Sequence, residues 1–174
     1  MSESVRRHHE SAPNHVRLAV LTISDTRTPE TDTGGDTVEE LMREAGHEVV
    51  NRTIVGDDAP GIRTNLVDLL ARADVDAVVT TGGTGVSARD TTYEVADRMI
   101  EKKLDGFGEI FRMLSYEEIG AAAILSRAIA GTVGTKLVAC LPGSRNAVRL
   151  AVEKLLVPEI AHVVFELRKH QESR

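Results

Sequence analysis

Three times in succession the chain runs from a short apolar stretch through a loop of small polar residues into a helix-like segment. Val16–Ile23 (VRLAVLTI) is a short apolar run suited to a buried strand, and His47–Val55 and Val75–Thr81 (VDAVVTT) read as the second and third strands. The segments between and after them, from Asp36 to Gly46, Pro60 to about Ala73, and Thr92 to about Lys103, read as helices. Strands joined by helices lie parallel, so the pattern predicts a parallel sheet covered by helices.

Local signals set the expected boundaries. Asp36 and Glu39 read as a capping box with Asp36 in the cap position, and Gly46 ends that helix. Asp57 and Asp58 precede Pro60, so one of them caps the second helix and the other is spare. Thr91 and Glu94 form the box of the third, which leaves Asp90 just outside it. Further on, Ser115 to Glu118 reads as another box, predicting a helix to about Ala128 whose Ala121, Ala122 and Ala123 pack closely. Ile129–Val133 and Lys136–Leu141 flank Gly134 as a hairpin, adding an antiparallel pair to the sheet. Ser144 caps a helix that Pro158 is expected to break before a last amphipathic helix. No repeat or linker divides the chain. Residues 15–169 read as one domain, with polar residues 1–14 a disordered N-terminal tail and residues 170–174 a C-terminal tail.

Composition removes several function classes. The single Cys140 excludes an internal disulfide and a thiolate metal cluster, and it fits a cytoplasmic protein. No run approaches the roughly 18 apolar residues of a membrane helix, and the polar start is not a secretory signal. A net charge of −6 with 3% aromatic residues and no Trp is unsuited to nucleic-acid binding. No triad or zinc-like spacing is present, and His47 and His162 read as structural. Phe107, Phe111 and Met113 read as core, with a subunit interface as the alternative.

Ligands of open α/β sheets bind beyond the carboxyl ends of the strands. Four loops there carry Ser24-Asp25, Gly56-Asp57-Asp58, Gly82 to Asp90, and Pro142-Gly143-Ser144, and they are expected to converge on one cleft. Gly82-Gly83-Thr84-Gly85 is the strongest feature, because glycines let backbone amides gather round an anion such as phosphate, with the Thr84 hydroxyl added. It matches neither a Walker A loop nor the dinucleotide fingerprint. A carboxylate at Asp90 beside a phosphate nest calls for Mg²⁺ between them. The spare acid of the Asp57-Asp58 pair is a second metal or orienting candidate. Asp25 and Asp32 read as solvated loop residues, with a role in the cleft as the alternative, and Ser144 combines capping with an anion-binding helix start.

With these residues in view, the chain resembles the MoaB/Mog family of molybdenum cofactor biosynthesis proteins over about Val16 to Leu167. VLTISDTR (Val20–Arg27), TTGGTGVSARD (Thr80–Asp90), the run from Asp105 to Gly131, and LPGSRNAV (Leu141–Val148) carry the resemblance. The GFGE…FRMLSYEEIG…LSRA run is closer to the MoaB branch. The resemblance implies a doubly wound three-layer α/β fold, mostly parallel with an antiparallel edge, assembled as a homotrimer or hexamer. It implies binding of molybdopterin and of ATP (or GTP), and adenylylation of the molybdopterin phosphate with Mg²⁺ and release of pyrophosphate. The family's two important acidic positions match Asp57 and Asp90, its glycine loop matches Gly82 to Gly85, and the Asn of its last motif matches Asn146. On that basis Asp90 holds the metal with Asp57 assisting, and Ser144 and Asn146 help hold a ligand. Other cofactor-assembly proteins are the expected partners. Some members of the branch bind without adenylylating, so a non-catalytic carrier is the rival reading and a scaffold with a vestigial cleft a third.

Overall fold

The structure is a computed structural model and describes residues 15–169. Six strands form one sheet in the order β2-β1-β3-β6-β5-β4. They are β1 (Arg17–Ile23), β2 (Glu48–Val55), β3 (Ala77–Thr81), β4 (Lys102–Lys103), β5 (Ile129–Val133) and β6 (Lys136–Leu141). The first four in that order pair in parallel, and β5 and β4 close the edge antiparallel, with the expected hairpin turning at Gly134. Helices α1 (Thr33–Glu44), α2 (Ala59–Ala71), α3 (Thr92–Met99), α4 (Asp105–Ile119), α5 (Arg145–Ala151) and α6 (Val157–Arg168) cover both faces.

The two-residue period of β1 explains the layering. Leu18 and Val20 face a core shared with Val38 and Met42 of α1, Phe111 of α4 and Ile160 of α6. Ala19, Leu21 and Ile23 face the opposite core, with Ile62 and Leu66 of α2 and Val95 of α3. The result is a three-layer, doubly wound α/β fold. No helix among the described residues is long and apolar enough to cross a membrane.

Several boundaries differ from expectation, each for an identifiable reason. The cap of α1 is Asp32, whose carboxylate accepts the Gly35 amide at 3.0 Å. Asp36 and Glu39 instead hold Arg52, at 2.8 and 2.9 Å. Asp32, expected in solvent, is buried and also receives Arg52 and the Thr22 hydroxyl. Thr91 makes no side-chain cap, because Glu94 turns away to Arg127.

Helix α3 stops at Met99, not near Lys103. The free edge of β5 offers carbonyls that outcompete another helical turn: the amides of Glu101 and Leu104 donate to Thr132 and Ala130 at 2.8 Å. Gly131 makes room, since a Cβ there would collide with Ile100 and the Lys102 carbonyl.

The box at Ser115 is not a helix start. Helix α4 begins at Asp105, and Ser115 lies buried inside it, donating its hydroxyl to the Phe111 carbonyl at 2.8 Å. Gly120 (φ 61°) ends α4, and Gly120–Leu125 is a 3₁₀ turn in which Ala123 is buried but Ala121 and Ala122 are exposed. Phe111 is core as expected, whereas Met113 is exposed. Pro158 breaks nothing: a wide π-turn over Val152–Leu156 joins α5 to α6, absorbing the missing proline N–H in the first turn of α6.

Candidate active site

The strand order reverses between β1 and β3, so the helices that follow them lie on opposite faces of the sheet and leave a crevice at its C-terminal edge. Gly82 ties the strand ends together there. Its amide donates to the Leu141 carbonyl at 3.1 Å, and Gly143 packs against its Cα. A Cβ on Gly82 would fall well inside 3.0 Å of the Ile23 carbonyl oxygen. Gly82 and Gly83 are both left-handed (φ 94° and 63°), the conformation glycine adopts without strain. The loops after β1, β3 and β6 therefore converge, as expected.

The β2 loop joins them through Asp57. Asp58 takes the cap of α2, accepting the Gly61 amide at 2.8 Å, and Asp57 is the spare acid. Its Oδ1 is buried without a partner in the protein and lies 3.1 Å from where a Gly83 Cβ would stand. The Thr92 hydroxyl, also buried and unpartnered, crowds the same point. Burial, followed by the charges of Asp90 and Asp25, pushes the Asp57 carboxyl above its ordinary range. Asp25 accepts the Asp57 amide at 3.1 Å and pairs with Arg89, linking the loops after β1, β2 and β3.

Asp90 behaves oppositely. Hydrogen bonds from Ser87 hold its carboxyl low, with the Gly85 amide and Arg127 adding to the effect. Its Oδ2 accepts the Ser87 amide at 2.9 Å, so the carboxylate folds back over its own loop. Arg127 clamps that loop from outside, donating to the Gly85 carbonyl at 2.9 Å, pairing with Glu94 and stacking 4.3 Å from the Tyr93 ring. No group of three or more His, Cys, Asp or Glu side chains among the described residues is arranged to hold a metal ion. Asp57 and Asp90 are the acids nearest the glycine loop.

Two spaces that share Ser24, Arg27 and Asp32 in their walls open beside this cluster. A cleft of about 920 Å³ lies between the β1 loop and the end of β2, lined by residues that include Ser24, Asp25, Arg27, Asp32 and Arg52. A polar chamber of about 110 Å³ sits over the strand ends, lined by residues that include Ser24, Arg27, Gly34, Gly82 and Gly143. Ser24, Asp25, Gly82 and Gly143 are thus placed on these walls. Thr84 is buried, and Ser144 caps α5 by accepting the Ala147 amide at 3.3 Å. Pro142 is half-buried at the end of β6, and Asn146 is exposed on the first turn of α5. Arg27, Arg52, Thr92 and Arg127 escaped sequence reasoning. Arg27 and Arg127 left a trace there only as members of the SDTR and LSRA motifs, and Thr92 only as a helix start.

Comparison with known proteins agrees with this geometry. Residues 19–162 match the family described as "Probable molybdopterin binding domain". The chain is 50% identical to Molybdenum cofactor biosynthesis protein B of Bacillus cereus over 167 residues, 95% of this chain and 99% of that one. A crystal structure of a Molybdenum cofactor biosynthesis protein B superposes with TM-score 0.89 at 50% identity, covering 92% of this chain and 100% of the other. The tungsten cofactor synthesizing protein MoaB from Pyrococcus furiosus superposes with TM-score 0.81 at 36% identity, covering 90% and 99%. Fold, edge loops and relatives agree: the chain belongs to the molybdopterin-binding domain family of molybdenum cofactor biosynthesis, in its MoaB branch.

Proposed function

We propose that the protein binds molybdopterin and ATP at this edge and adenylylates the molybdopterin phosphate. One observation supports this above others: a buried, unpartnered carboxylate oxygen of Asp57 beside a left-handed glycine turn where four strand-end loops meet. Such a group is costly unless a ligand completes it.

In the reaction, an oxygen of the molybdopterin phosphate attacks the α-phosphorus of ATP. The bond from that phosphorus to the β-phosphate oxygen breaks, and its electrons leave with pyrophosphate. The nucleophile is already anionic, so no general base is needed, and the residues' task is positioning. Gly82 to Gly85 present backbone to a phosphate, Asp57 and Asp90 face the polyphosphate, and Ser24, Asp25, Gly143, Ser144 and Asn146 border the bound molecules. Asp57 and Asp90 suit Mg²⁺, which favours one or two carboxylates plus substrate phosphates over an all-protein cage. When bound, Mg²⁺ supplies charge neutralisation for the phosphates.

The engagement of Asp90 with the Ser87 amide favours one alternative, a carrier that binds both molecules without transfer. Pyrophosphate release from molybdopterin with ATP or GTP, in wild type, Asp57→Asn and Asp90→Ala, decides between them. Transferase activity predicts turnover that falls on the order of a hundredfold in either variant. Calorimetric binding without turnover establishes the carrier, and no binding refutes both.

The same reading has the protein as a homotrimer or hexamer. Ile110, Met113, Tyr116 and Ile119 form an uncovered stripe on α4, continued by Ile124 and Leu125. Sedimentation equilibrium tests this, and a monomer at micromolar concentration would contradict it.

A further inference from the structure

The charges lining the two neighbouring spaces are nearly all spoken for. Asp25 is paired with Arg89. Asp32 is paired with Arg52, which also holds Asp36 and Glu39. Arg27 lines both the 920 Å³ cleft and the 110 Å³ chamber, and it has no carboxylate partner among the described residues. Among the described residues its one side-chain hydrogen bond is from Nη1 to the Thr31 carbonyl at 2.6 Å. The guanidinium therefore retains most of its donors and its whole charge.

The backbone beneath it is already fixed. The Ser24 hydroxyl accepts the amides of Thr26 and Arg27, each at 3.2 Å, so the side chain leaves from a pinned turn. The chamber holds about three or four waters' worth of volume, which suits a phosphate group. The cleft is the size of small-molecule sites that take a planar heterocycle.

We propose that Arg27 is an anion-binding residue that seats the phosphate of a phosphorylated heterocycle in the small chamber while the ring system lies in the cleft. This deepens the function proposed above by naming the group that selects the phosphorylated form. A planar guanidinium can grip phosphate through two parallel hydrogen bonds, which a lysine cannot reproduce. Nucleotide and pterin ligands share this chemistry.

The test is calorimetric titration of the full chain with paired probes: AMP against adenosine, and 6-hydroxymethylpterin phosphate against 6-hydroxymethylpterin. In wild type, at least one phosphorylated probe binds more tightly than its partner. Arg27→Ala removes about tenfold or more from that probe. It leaves the unphosphorylated one within about twofold, and Arg27→Lys recovers part of the loss. Raised salt weakens the phosphorylated probe in wild type and has less effect in Arg27→Ala. Whichever pair responds identifies the source of the phosphate. Equal losses for both members of a pair, no loss for either, or no preference for phosphate in wild type each overturns the assignment. A thermal midpoint unchanged in Arg27→Ala confirms that folding is not being measured. Phosphate selection by Arg27 without pyrophosphate release would remove the transferase reading and keep this one. Turnover with every affinity unchanged in Arg27→Ala would do the reverse.

Discussion

Replacing Gly82 with alanine tests the geometry that gathers the strand ends. Two penalties add there. A left-handed backbone costs an L-residue about 1–2 kcal/mol. Gly82 has φ 94°, and the new Cβ would drive into the Ile23 carbonyl oxygen, a backbone atom that no rotamer change can move. Overpacking of that kind costs about 1–3 kcal/mol more, giving about 2–5 kcal/mol in all. Gly134 supplies the control, because it is also left-handed (φ 58°) but nothing stands within 4 Å of its Cβ position. Gly134→Ala should cost only the conformational part, about 1 kcal/mol. With a urea slope of about 2 kcal/mol per molar, Gly82→Ala lowers the midpoint by about 1–2.5 M and Gly134→Ala by about 0.5 M. Both variants are unfolded at one protein concentration, since self-association would shift midpoints by mass action. Equal shifts in the two variants would refute the close approach of β1 and β3 on which the site depends.

At the sheet's other end, Asp76 is buried and accepts Arg17 and Arg168, so Asp76→Ala should cost about 2–4 kcal/mol in urea unfolding at neutral pH. Burial opposes its charge, but hydrogen bonds from Arg17 and Arg168 outweigh it and hold its carboxyl below the ordinary value of 3.8. The stabilisation is therefore complete above that value and fades as pH falls below it, and a loss that persists undiminished in strong acid contradicts the assignment. Burial pushes the Cys140 thiol up to about 12, so a disulfide reagent should modify it only after unfolding; prompt labelling of the native protein would show otherwise. Asp57 has a raised carboxyl, so stability is lost as pH climbs from the ordinary value of 3.8 through the folded value and is level above it. Asp57→Asn should match wild type in acid and exceed its urea midpoint at neutral pH, and a neutral-pH loss larger than the acid one would count against the burial argument.

The fold was legible where local signals and tertiary context agree. Pro60 fixes the start of α2, so one of two adjacent acids had to be left over, and Asp58 is the one that caps. The first and third β-loop-α units followed from apolar runs buried on both faces, whereas β2 is a half-exposed edge strand. Legibility failed where a pattern can occur without a chain end. Ser115-x-x-Glu118 satisfies the capping spacing inside a continuous helix, and the apolar pair Phe107 and Phe111 upstream was the better signal. Lys102–Lys103 has no strand pattern and becomes a strand only because β5 has an open edge. Arg52 could not be read as a cleft residue, because its partners Asp32, Asp36 and Glu39 are brought to it by folding. Pro158 was read as a break because a π-turn that absorbs it has no local sequence signature.

The two ends of the sheet handle polar groups differently, and the contrast locates function better than any single residue. At the N-terminal end, buried Asp76 is saturated by the amide and guanidinium of Arg17 and by Arg168. That arrangement holds strands in register and leaves nothing to bind. At the C-terminal end, Asp57, Thr80, Thr91, Thr92 and Glu94 each keep a buried side-chain oxygen without a protein partner, those of Asp57 and Thr92 crowding the left-handed Gly83. Folding alone gives no reason to retain that many unmatched groups, because apolar replacements of similar shape would remove the desolvation penalty. Among the described residues, unmatched polarity gathered toward the edge where β1 and β3 part is what a site completed by its ligand requires.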